Sequence, residues 1–405
     1  MMQPNPYYKD LKEEYLFRYI AGKTEKFRKE HPGKKLLRMG IGDVTLPLPP
    51  SVIRALHEAV SDQADPRKFQ GYMPECGADF LRNAVAAHYR RRGIDIDPAE
   101  VFVSSGASDE LGDLQDLFAR ENTALIMEPV YPAYLDACII AGRKILHLPS
   151  GWQNNFLPEP DDSINADMVY LCSPNNPTGA VFTKALLQDW VDWANRRGAV
   201  ILFDAAYEAF ITDENLPKSI FEINGARTCA IEICSLSKTV GFTGTRLGYT
   251  VIPEALVRQG MSLNRMWIRN RTTKTNGISY ILQKGGSAVF TEEGQKEIQE
   301  NITVYRKNAA VLSKALEEEG VCFTGGKNAP YIWMKCPNSL KSWDFFDLLL
   351  QKIQVVGTPG AGFGEAGEGC LRFSMFGSPA DTEEAACRLG QLLRRIKEGT
   401  VSPGG

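Results

Sequence analysis

Between residues 101 and 253 the chain repeats one pattern: a short run of aliphatic and β-branched residues, then a longer amphipathic stretch, then another run. The runs are VFVSS (101–105), TALIME (123–128), DMVYLCS (167–173), AVILFDAAY (199–207), CAIEICSLS (229–237) and RLGYTVIP (246–253). Candidate helices lie between or beside them at 108–118, 131–141, 183–197 and 254–260. Val, Ile and Leu without polar alternation predict strands covered on both faces. Strand–helix alternation predicts an α/β fold with a mostly parallel, doubly wound sheet. A ligand of such a sheet binds at the carboxyl ends of its strands.

After about residue 290 the pattern changes. TEEGQKEIQENITVYRKNAAVLSKALEEEG (291–320) predicts one long amphipathic helix with a glycine stop. YIWMKC, FDLLLQKIQVVGTPG, CLRFSMFG and a helix over 381–397 predict a small α+β domain. The expected organisation is an N-terminal segment 1–47 packing with the small domain, a large domain 48–290 and a small C-terminal domain 291–405. The terminal VSPGG reads as frayed.

Composition narrows the function classes. A net charge of −3 over 405 residues carries no basic footprint for nucleic acid. Nine scattered cysteines without a CxxC pair and four histidines without HExxH argue against a disulfide framework and a metal site. No run approaches the ~18 apolar residues of a membrane span, and the polar start MMQPNPYYKD resembles no signal peptide. The expectation is a cytoplasmic protein without nucleic-acid or membrane partners.

Two charged residues stand at the ends of apolar runs. AVILFD ends in Asp204, where a carboxylate is costly without a positive partner. Alone it also reads as a helix cap or half of a structural ion pair. CAIEICSLSK brings Lys238 to the next strand end, where a lone lysine is ordinarily solvated. Together they suit one pocket. A lysine amine can form a Schiff base with an aldehyde, and an aspartate can hold the protonated ring nitrogen of pyridoxal phosphate. VFVSSGASDELG predicts strand, glycine turn and helix, so the amides of Ala107 and Ser108 would meet an anion. Ser235, Ser237 and Arg246 would add hydroxyl and guanidinium donors to the same phosphate. Gly241, Gly244 and Gly248 are expected to make the tight turns that return Arg246 beside Lys238.

SPNNPTG (173–179), FDAAY (203–207), SLSK (235–238) and GTRLGY (244–249) occur in the order and spacing of the fold type I pyridoxal-phosphate aminotransferases, which the chain resembles over nearly its whole length. The resemblance implies Lys238 as the Schiff-base lysine and proton-transfer catalyst. It implies Asp204 on the pyridinium nitrogen, Tyr207 and Asn176 on the ring hydroxyl, and Tyr131 stacked on the ring. It further implies that Tyr72 reaches the cofactor phosphate of the partner in a homodimer, and that Arg372 holds the substrate α-carboxylate. As core aromatics, a turn asparagine and a buried ion-pair arginine, these residues also have plain structural readings.

EYLF, MGIGDVTLPLP (39–49), EPVYPAYLD (128–136), LPKSIFEI (216–223), RTTKTNGISYILQKGG (271–286) and GTPGAGFGEAGEGCLRFS (357–374) resemble the LL-diaminopimelate aminotransferases. That family moves an amino group from glutamate to tetrahydrodipicolinate in lysine biosynthesis. The likeness implies that Tyr15, Gly42, Tyr131, Asn176 and Asn276 line the substrate pocket with Arg372. The chain departs from that family's usual pattern at Ser108, normally lysine, and at Leu46 and Gln70, normally arginine. A related aminotransferase for another amino acid, a pyridoxal-phosphate lyase or decarboxylase, and a non-catalytic regulator are the competing expectations.

Overall fold

A computed structural model describes residues 1–12, 15–40 and 42–400. The VSPGG tail lies outside the described residues. The apolar runs form one seven-stranded sheet, in the spatial order Val101–Ser104, Gly248–Val251, Ala230–Ser235, Val200–Asp204, Met168–Cys172, Ala124–Glu128 and Ile145–Pro149. Only Gly248–Val251 runs antiparallel to its neighbours. Six of these strands are buried along their whole length as the predicted two-faced burial requires. The edge strand Ile145–Pro149 is half-exposed and carries a histidine and a proline, so it lacks the apolar signal of the others.

Register decides what meets at the carboxyl edge. Cys172 pairs with Asp204, and Asp204 with Ile233. Ser104, Gly248 and Ser235 share one row across the neighbouring strands. Asp204, the Ser235–Lys238 turn and the Gly106 turn therefore open on the same edge.

The expected helix over 254–260 does not form. Gln259 and Gly260 take φ of 50° and 76°, turning Val257–Arg258 back onto Met261–Ser262. The helix instead starts at Leu263, capped by Ser262, and runs to Lys274.

A second, wholly antiparallel sheet orders Phe323–Gly325, Tyr331–Lys335, Cys370–Ser374 and Thr358–Pro359. The long helix is Glu292–Glu318, capped by Thr291 and stopped before Gly320 at φ 66°. It packs against Pro379–Lys397. The N-terminal helix Leu16–Glu30 is joined to the C-terminal helix Ser342–Ile353 by Lys23–Asp347 at 2.6 Å. Leu37–Arg38 pairs in parallel with Val355–Val356. These contacts bring Gly42 to the carboxyl edge of the large sheet, where its carbonyl meets Lys238. Among the described residues no helix is long and apolar enough to cross a membrane.

Candidate active site

A cavity of about 600 Å³ lies between the two sheets. Twelve of the residues singled out in the sequence line it: Gly42, Ala107, Ser108, Tyr131, Asn176, Asp204, Tyr207, Ser235, Ser237, Lys238, Arg246 and Arg372.

Asp204 ends the central strand Val200–Asp204 and is buried. Its Oδ1 accepts the Ala206 amide at 2.9 Å and its Oδ2 accepts the Tyr134 hydroxyl. Neither partner is a cation, so the ion-pair reading does not apply among the described residues. Burial raises the carboxyl pKa, and the two donors oppose that rise. A buried carboxylate with no countercharge, facing a cavity, is suited to a positively charged guest.

Lys238 sits in the four-residue helix Leu236–Thr239, which follows directly on the strand Ala230–Ser235. Its Nζ donates to the Gly42 carbonyl. Burial, with Arg372 and Arg246 adding to it, lowers its pKa to about 8, while Asp43 opposes them. The amine is therefore substantially neutral at mildly alkaline pH, the form in which it is a nucleophile and a base.

The turn at Gly106 and the loop ending at Arg246 form a cradle of donors. Arg246 Nη1 donates to Ser237 Oγ at 3.0 Å, and Ser235 Oγ accepts the Ser237 amide at 3.2 Å. Gly106 takes φ 120°, and a Cβ there would lie 2.6 Å from Arg246 Nη2. Ala107 and Ser108 open the following helix, where amides lack intrahelical acceptors. The glycines divide differently from the expectation. Gly241 takes φ 105°, and Gly248 lets its strand approach Cys234 O, which a Cβ would meet at 2.7 Å. Gly244 has open space and needs no glycine, whereas Arg246 itself takes φ 63°.

At the other wall, Arg372 is fully buried in the middle of the small sheet. Nη1 donates to Asn176 Oδ1 at 2.5 Å and Nη2 to the Gly40 carbonyl at 2.7 Å. Its guanidinium lies 4.4 Å from the Tyr331 ring centre and 4.9 Å from that of Phe363. Nε has no partner, and no carboxylate pairs with the group among the described residues. The guanidinium is thus a buried cation without a countercharge among the described residues, an environment that favours an anionic guest.

Three predicted residues lie elsewhere. Tyr15 is outside the main cavity but bonds to Tyr131 at its rim. Tyr72 is 89% exposed and Asn276 is exposed, so neither reaches this chain's cavity. Among the lining residues that the sequence did not single out, three carry polar contacts into the site: Tyr134, Tyr331 and Thr358. Tyr134 carried a usable signal, a second tyrosine one helical turn after Tyr131. Tyr331, which meets the Tyr207 hydroxyl at 2.9 Å, and Thr358, which donates to Gly40 O at 2.7 Å, read as ordinary strand residues.

The chain matches the aminotransferase class I and II family over residues 34–389. It is 48% identical to an LL-diaminopimelate aminotransferase of Lawsonia intracellularis, covering 97% of this chain and 100% of the relative. It is 46% identical to one of Lachnospira eligens at the same coverage. Among solved structures it is similar to the L,L-diaminopimelate aminotransferase of Chlamydomonas reinhardtii, with a TM-score of 0.91 and 37% identity over 97% of this chain and 99% of that one.

Proposed function

The chain belongs to the class I and II aminotransferases, and from that premise we propose that it is an LL-diaminopimelate aminotransferase, passing an amino group between glutamate and tetrahydrodipicolinate on pyridoxal phosphate. One observation carries the reading: Lys238, Asp204 and Arg372 open into one cavity, and neither the buried carboxylate nor the buried guanidinium meets an opposite charge among the described residues. The donor set fits pyridoxal phosphate, with an anion cradle at one end, an uncompensated carboxylate at the other and a partly neutral lysine between.

When bound, pyridoxal phosphate supplies an aldehyde for amines and a pyridinium ring that withdraws electrons from the substrate's α-carbon. Asp204, itself held by Tyr134 and Ala206, would hold the proton on the ring nitrogen. Tyr207 and Asn176 would donate to the ring hydroxyl, and Tyr131 would cover the ring. Ser235, Ser237, Arg246 and the amides of Ala107 and Ser108 would hold the phosphate. Lys238 Nζ takes the proton from the substrate α-carbon and returns it, with Gly42 O as its resting acceptor. Arg372 binds the α-carboxylate through its guanidinium edge. Tyr15, Gly42 and Asn276 bound the distal end of the substrate. Tyr72 and Asn276, exposed on the isolated chain, serve a partner's cavity in a homodimer.

A second reading, a related aminotransferase with a different amino donor, is favoured by Ser108. That short hydroxyl lines the cavity where the resembling family usually carries a lysine. A donor panel with 2-oxoglutarate separates the two. LL-diaminopimelate should give glutamate faster than meso-diaminopimelate or the common amino acids. Glutamate from another donor but none from LL-diaminopimelate would overturn the substrate and leave the reaction class. A colourless protein inert to every donor would overturn both.

A further inference from the structure

One buried acid beside the cavity has no part in the chemistry above. Glu128 ends the strand Ala124–Glu128, three residues before Tyr131, and only 9% of it is exposed. Its backbone is fixed by Ser150, whose amide and hydroxyl donate to Glu128 O at 2.8 and 2.7 Å. Its carboxylate turns away from the cavity toward the 360–367 loop. Oε1 meets His147 Nδ1 at 2.7 Å, and Oε2 lies 3.5 Å from the Ala366 amide. Gly364, at φ 116°, makes room for it, since a Cβ there would lie 2.5 Å from Oε2. Two residues beyond Glu128, Val130 donates its amide to Phe363 O at 2.8 Å. Phe363 is the buried ring that walls Arg372 at 4.9 Å and packs on Trp333 at 5.8 Å.

We propose that Glu128 is a positioning residue for the substrate carboxylate, acting through the 360–367 loop and Phe363 on Arg372. The carboxylate seats in the groove of Gly364 and so sets the loop. The loop sets the ring, and the ring fixes the plane of a guanidinium whose Nε has no partner of its own. The same strand end carries Tyr131, so one acid sets both the arginine and the tyrosine of the cavity in register. The inference rests on the reading of Arg372 as the carboxylate fork.

The test is calorimetric binding of succinate, a simple dicarboxylate probe, to holoenzyme carrying single substitutions. Wild type should bind, and Arg372→Ala should abolish binding. Glu128→Ala should weaken it about tenfold, the scale of indirect coupling through packed contacts. Glu128→Gln, which keeps the size and the acceptor for Ala366, should restore it to within about threefold on the same scale. The Glu128 and Gly364 variants should still carry cofactor at the wild-type stoichiometry, because the phosphate cradle of Ser235, Ser237 and Arg246 is untouched. Gly364→Ala approaches the contact from the other side and should weaken binding about as much as Glu128→Ala, which keeps the test decisive should that variant not fold. Succinate binding that survives Arg372→Ala overturns the fork and this inference together. Binding lost on Arg372→Ala but unchanged by Glu128→Ala or Gly364→Ala overturns the inference alone.

Discussion

Arg372 and Asn176 meet at 2.5 Å although 196 positions separate them in the chain. The contact joins the middle of the small antiparallel sheet to the loop after Met168–Cys172 in the large one. The cavity is thus shared by both sheets, and the guanidinium is oriented before any substrate arrives. A lysine at 372 cannot reach Asn176 Oδ1 and Gly40 O together or present a planar edge. Arg372→Lys should weaken carboxylate recognition by about 2–5 kcal/mol, a rise in KM for 2-oxoglutarate of at least about thirtyfold. A KM within threefold of wild type in steady-state kinetics would refute this.

The pKa of Lys238 gives two pH predictions. The folded value is depressed from 10.5 to about 8 by burial. The unfolded chain therefore holds a proton that the folded chain has released between pH 8 and 10.5, and stability from this group rises with pH across that window. Below pH 8 the buried ammonium carries its full cost. In protein stripped of cofactor, Lys238→Met should raise the urea midpoint at pH 7, and the gain should shrink as pH climbs past 8. Capture of pyridoxal phosphate by the stripped wild type, followed by absorbance, should accelerate with a midpoint near pH 8. A midpoint near 10.5 would mean that the amine is not perturbed.

Tyr134→Phe removes one of the two donors to Asp204 and leaves the ring in place. A hydrogen bond to a charged group contributes about 1.5–3 kcal/mol. The carboxyl pKa should climb further, and the cofactor should dissociate faster. Unchanged retention during dialysis would remove Tyr134 from the account.

Gly106 and Gly244 make a matched pair. Alanine at 106 meets Arg246 Nη2 at 2.6 Å and a backbone at φ 120°, a strain of about 1–3 kcal/mol. Alanine at 244 meets nothing. Gly106→Ala should lower affinity for pyridoxal phosphate, measured by titration, while Gly244→Ala should behave as wild type. Equal effects would show that the cradle is not what Gly106 serves.

If Tyr72 serves a neighbour's cavity, mixing two damaged proteins should restore function. Tyr72→Ala and Lys238→Ala subunits, unfolded and refolded together, should form mixed dimers with one intact site. Their joint activity should exceed the mean of the two refolded separately. Activity equal to that mean would argue that the cavity is complete within one chain.

The strands and the chemistry of their ends were legible because burial on both faces leaves an unbroken apolar run, and because Asp204 and Lys238 interrupt such runs where charge is costly. Short-range signals had less reach. The stretch 254–260 reads as helical in composition, but Gln259 and Gly260 turn it into a hairpin. Tyr134 and Tyr331 pass for core aromatics until a neighbour gives each hydroxyl a role. Glu128 looks like the end of a strand, and its target, Gly364, is remote in the chain.

Residue type and order alone thus determined an α/β sheet, a carboxylate and an amine at its carboxyl edge, and hydroxyl and guanidinium donors nearby. Packing across the two sheets settled the rest: Asp204 and Arg372 meet no opposite charge among the described residues and share one cavity with Lys238. Hydrophobic periodicity is local and is written along the chain. The pairing of a buried charge depends on which distant side chains the sheet register and the packing of the two sheets bring within about 4 Å.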